Sequence, residues 1–131
     1  MADSVDSVVL FSGTRRRAVR LTNVSDGTGE SAVIKIDKST LIGPDGTEPS
    51  KLVVEEIVWN IQGFTSVRLF WDHTTDDEID MLSGGGSRDY TAVGGLRDPG
   101  SAGGDGDILL TTAGAVSGAT YDISIVLRLK D

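Results

Sequence analysis

The chain has no cysteine among its 131 residues. Disulfides, thiolate nucleophiles and cysteine-ligated zinc are therefore excluded, and synthesis in a reducing cytoplasm is expected. Histidine occurs once, as His73. Zinc sites ordinarily draw on three or four protein ligands, and a serine hydrolase would need that single imidazole beside its nucleophile, yet no Gly-x-Ser-x-Gly elbow occurs. Aromatics are few, with three Phe, two Tyr and two Trp, which does not suit the aromatic-lined cleft of a glycosidase. Apolar runs are short, such as residues 52–54 and 57–59, so no helix can span a bilayer. The N-terminus lacks the charged and apolar regions of a signal peptide. Basic residues are outnumbered, 12 Lys and Arg against 20 Asp and Glu, for a formal charge of −8. That balance argues against a nucleic-acid backbone or an anionic membrane as the main partner. Helical periodicity is missing too, since no stretch keeps apolar residues at three- and four-residue spacing between caps.

What the chain has instead is alternation and glycine. In its last run Tyr121, Ile123, Ile125, Leu127 and Leu129 are apolar at every second position, and polar residues stand between them except at Val126. Counted from Ala119, this pattern is an extended strand with one buried and one wet face, about 36 Å long. Shorter runs at 5–11, 15–23, 30–37, 51–62, 65–72, 77–82, 88–93 and 107–112 read as further strands. Trp59, Trp71 and Tyr121 fall at inward positions. The 17 glycines against three prolines supply turns, Asp26-Gly27 and Gly43-Pro44-Asp45-Gly46 among them. The reading is an all-β fold, an antiparallel β-sandwich of jelly-roll-like form with about eight strands and glycine-rich loops. One domain over residues 1–131 is expected, with a short N-terminal arm at 1–4. Residues 15–23 and 30–37 are expected to pair as a hairpin, Gly84-Gly85-Gly86 to form a flexible elbow, and 83–106 to be a loop with a function.

Few residues offer chemistry. His73 lies in Asp72-His73-Thr74-Thr75-Asp76-Asp77-Glu78, which reads either as a metal or acid–base site or, as preferred, a solvated corner between strands. Asp98, Asp105 and Asp107 invite comparison with a calcium loop but lack the full ligand spacing. Gly84-Gly85-Gly86 lacks the lysine and following helix of a phosphate loop. No catalytic residue, cofactor site or metal site is assigned. The one basic concentration is Arg15, Arg16 and Arg17 with Arg20. Residues 1–20 carry four Arg and two Asp, a local +2, and the remainder eight basic and eighteen acidic residues, −10. These four arginines are the candidate partner contacts, an electrostatic handle for an acidic partner or for a neighbouring copy's acidic loops. The competing reading is an edge strand guarded by charge.

The segment Arg20-Leu21-Thr22-Asn23-Val24-Ser25-Asp26-Gly27-Thr28-Gly29-Glu30-Ser31 resembles small virion proteins of tailed bacteriophages, especially marine and cyanobacterial ones. So do Asp72-His73-Thr74-Thr75-Asp76-Asp77, Gly94-Gly95-Leu96-Arg97-Asp98-Pro99, Gly106-Asp107-Ile108-Leu109-Leu110-Thr111-Thr112 and Tyr121-Asp122-Ile123. The resemblance implies a non-enzymatic capsid decoration or cement protein on the outer shell. Its implied partner is the major capsid protein, and a homo-oligomer, with a trimer favoured, is expected. Synthesis would occur in the bacterial host cytoplasm. A head–tail connector, tail-tube or fibre-associated protein is the alternative within the virion. A carbohydrate-binding module, which needs exposed planar aromatics, and a small hydrolase are the alternatives outside it.

Overall fold

The computed structural model describes residues 4–13, 15–43, 46–99, 103 and 106–130. Ten strands carry the fold: β1 (Ser4–Ser12), β2 (Arg16–Asp26), β3 (Val33–Ile36), β4 (Lys51–Gln62), β5 (Ser66–Trp71), β6 (Asp77–Leu82), β7 (Gly85–Asp89), β8 (Leu96–Arg97), β9 (Ile108–Ala113) and β10 (Ser117–Lys130). One sheet runs β1-β2-β10-β4-β7, with β8 also paired to β4, and the other runs β3-β9-β5-β6. Every pairing is antiparallel.

The pairings are nested. β5 pairs with β6, β4 with β7, β3 with β9 and β2 with β10. The chain is thus one long antiparallel ribbon, with its tip at the β5–β6 corner. The ribbon is rolled so that β10 lies between β2 and β4, and β9 between β3 and β5. This is the jelly-roll arrangement, with β1 as an added edge strand. The expected all-β sandwich is therefore the observed one, with a few more strands than the pattern suggested.

Alternation fixes which face each strand buries. Tyr121, Ile123, Ile125, Leu127 and Leu129 of β10 are all buried, and they meet Ile57, Trp59, Ile61 and Leu52 of β4 and Leu21 and Val19 of β2 in one core. Each such side chain contributes about 1.5–3 kcal/mol by leaving water. Val67, Leu69, Trp71, Ile108 and Leu110 line the facing sheet. Trp59, Trp71 and Tyr121 are buried as the pattern predicts.

Four local expectations fail. Of the strand expected at 88–93 only Arg88 and Asp89 are in a strand, and the loop expected at 83–106 carries β7, a 3-10 turn and β8, because pairing with β4 orders this stretch. A hairpin and an elbow are also overturned. β2 and β3 do not form a hairpin, because β2 pairs with β1 and β10 while β3 crosses to the other sheet and pairs with β9. Both strands alternate, and alternation says nothing about which partner completes the ladder. Gly84-Gly85-Gly86 is not a free elbow either, because β7 begins at Gly85 and pairs with β4. Gly86 lies over the Trp59 ring, where a Cβ would come to 3.0 Å from Cζ2. Gly86 is there for close approach, and glycine leaves no periodic trace. After Asp89 the chain turns through a 3-10 segment, Thr91–Val93, with the Asp89 carboxylate accepting from the Thr91 amide and hydroxyl.

Candidate functional site

Register gathers cations that sequence spacing separates. Arg16 of β2 lies directly opposite Arg128 of β10. Arg128 lies opposite Val53 of β4, and Val53 opposite Arg97 of β8. One row across the outer face of the larger sheet therefore holds three arginines. In the next row outward, Lys51 of β4 faces Lys130 of β10. Exposed Arg15 stands at the same end, its carbonyl accepting from the Leu129 amide.

The row is built around Val53, which faces outward by register yet is fully buried. Its cover is the segment before β8. Gly95 has φ +87°, and a Cβ there would collide with Val53 Cγ1. Only glycine combines this conformation with this approach, and it lets β8 reach β4 and bring Arg97 into line.

One carboxylate sits among the cations. The β4–β10 register slips between Val126 and Leu127, where Glu56 and then Val54 take the opposing positions. Glu55 is the extra residue of this bulge, and it is buried. Its carboxylate accepts from Arg16 Nε at 2.9 Å and lies 3.8 Å from Arg128 Nη1. Arg128 also donates to the Gly94 carbonyl at 3.1 Å. Among the described residues Arg15, Lys51 and Arg97 make no ion pair. Lys51 Nζ lies 3.5 Å from the Asp98 carbonyl. Glu56 and Asp89, opposite each other on β4 and β7, limit the patch on its acidic side.

The four arginines singled out from the sequence are thus dispersed. Arg16 joins the row. Arg17, on the inner face, lines a cleft of about 220 Å³ between β1, β2 and the β3 end, with Val9, Lys35 and Leu41. Arg20 lies four residues further along β2 and is held by Asp122 through two hydrogen bonds of 2.9 and 2.6 Å. Lys51, Arg97 and Arg128 were not expected as neighbours of Arg16, because only pairing register reveals them.

His73 provides a second finding. It does sit at the β5–β6 corner, but it is buried, not solvated. Its Nε2 lies 2.6 Å from Asp98 Oδ1 and its Nδ1 2.7 Å from the Gly103 carbonyl. Both ring nitrogens face acceptors, so the imidazolium, donating from both, is the form that fits. Burial lowers its pKa, but the Gly103 and Asp98 hydrogen bonds and the charges of Asp98 and Asp77 outweigh burial and raise it above the ordinary histidine value. The Asp76 carboxylate accepts from the His73 amide, and Asp77 lies 4.0 Å from Nε2. With both nitrogens engaged, neither is free to take a proton from a nucleophile, so the pair works as a clamp on the β8–β9 connection. Asp107 accepts from the Lys38 amide, while Asp105 lies outside the described residues. Among the described residues no group of three or more acidic or histidine side chains is placed to hold a metal ion.

No protein-family model and no curated protein matches the chain. Among solved structures it is similar to a cupin domain from Bordetella pertussis Tohama I, at 9% identity and a TM-score of 0.42, over 100% of this chain and 98% of that one.

Proposed function

We propose that this chain is a non-enzymatic structural protein that works by docking. In this reading it is a capsid decoration or cement protein of a tailed bacteriophage, holding neighbouring major capsid subunits together from outside. The observation that carries the docking part is the cationic end of the larger sheet, assembled from four strands in a chain of charge −8. The virion part rests on the resemblance of five segments to small phage proteins. Burial of Trp59 and Trp71 removes the aromatics a sugar-binding module would present. The engaged nitrogens of His73 deny a hydrolase its base.

Self-association belongs to the same proposal. β1 and β3 are edge strands, and they expose Val8, Val9 and Leu10 on one and Val33 and Ile34 on the other. Edges of this kind are normally covered or defended, and a trimer contact would cover them. Quantitative mass spectrometry of purified particles is the test. Hundreds of copies per particle are expected. A dozen or fewer would favour a connector or tail component, and absence from particles would reject the virion reading. On heads, changing Arg15, Arg16 and Arg17 together to Ala should weaken attachment, most visibly at low salt where charge is least screened.

A further inference from the structure

The outer-face cations are arranged at a cost. Arg16 faces Arg128, and like charges directly opposite on a sheet are destabilising. Nothing in the jelly roll requires this, since any small polar residue would serve on that face. Glu55 relieves that pair alone. Arg97 and Lys51 remain without an ion-pair partner among the described residues, and both are exposed.

We infer that this end of the sheet is a polycarboxylate-binding face whose occupant is an acidic segment of a partner protein. Glu55 shows the chemistry in place, with one carboxylate shared by two guanidinium groups. A partner's carboxylates would extend that pattern to Arg97 and Lys51. Adjacent strands lie about 4.8 Å apart, so Arg128 and Arg97, two strands from each other, are separated by roughly 10 Å at the backbone. An extended peptide laid across the strands spaces its alternate side chains by roughly 7 Å. A segment with acidic residues at every second or third position matches that span. A nucleic-acid track does not suit it, because Glu56 and Asp89 interrupt the cationic surface to one side and the rest of the chain is strongly acidic. The inference deepens the docking reading by naming the partner's chemistry. Its test uses the isolated protein, so it can fail while the particle count succeeds, or the reverse.

The full chain is titrated with fluorescently labelled poly-L-glutamate at low and at physiological salt, with heparin and duplex DNA as competing probes. Poly-L-glutamate should bind, more weakly as salt rises. The double variant Lys51→Gln, Arg97→Gln removes charges with no internal ion pair, so it should stay folded, and its affinity should fall by roughly tenfold. The control variant Arg20→Gln, Arg68→Gln, with charges elsewhere, should change affinity by less than about twofold. Absence of binding, equal losses in both variants, or tighter binding of heparin or DNA than of poly-L-glutamate would each overturn the inference.

Discussion

His73 is the one histidine of the chain, so any stability change between pH 6 and 8 reports chiefly on it. Its folded-state pKa lies above the ordinary value of 6.5. A raised pKa means that the folded state holds the proton more tightly than the unfolded chain does. The stabilisation is therefore complete below about pH 6.5 and is lost as pH rises through the folded value. Thermal unfolding should show a midpoint that falls on going from pH 6 into the mildly alkaline range. His73→Gln should flatten that slope, and an unchanged slope would contradict the clamp. Asp98→Asn leaves a buried imidazolium without its charge partner and should cost roughly 2–4 kcal/mol at pH 6, measured by denaturant unfolding. Gly95→Ala, which must hold φ at +87° against Val53, should cost about 1–3 kcal/mol by the same measurement. His73 stood out in the sequence as a lone histidine in an acidic corner. Asp98, 25 residues away in a glycine-rich stretch, drew notice only beside Asp105 and Asp107 and not as the partner of His73, because side chains that meet through tertiary packing leave no local pattern.

Among the elements, β4 is the most informative. It is paired on both sides and carries the bulge that turns Glu55 towards Arg16 and Arg128. Bulges re-aim side chains, and here the extra residue supplies the counter-charge for two arginines. Glu55→Gln keeps the shape and removes the charge. It should lower stability by about 1–3 kcal/mol at low salt, with part of the loss recovered in 0.5 M salt, where the arginines are screened from each other. A loss insensitive to salt would mean that Glu55 acts through packing alone. Strand positions were largely legible, since β2, β4, β5, β6, β9 and β10 all overlap runs of alternating residues. β7 was read only at Arg88 and Asp89, because it starts on two glycines, and β8 not at all, because it is only two residues long. The supposed β2–β3 hairpin shows the limit of reading neighbours as partners in a fold that sends them to opposite sheets.

For the molecule as a whole, the nested ribbon makes most pairings long-range, and β2 with β10 joins the two ends of the chain. Such topologies fold slowly, on the order of milliseconds to seconds. β10 completes the ladders of both β2 and β4 and supplies five buried side chains to the core. A chain ending at residue 116 should therefore lack cooperative unfolding and show a disordered far-UV dichroism spectrum. The sequence by itself determined that the chain is extended and which side of its alternating strands faces inward, because period-two alternation is a property of consecutive residues. Only the tertiary structure decided which strands pair and in what register. Those pairings brought Arg16, Arg97, Arg128 and Lys51 onto one face and sent Arg17 and Arg20 elsewhere, because backbone ladders join residues by topology, without regard to their distance along the chain.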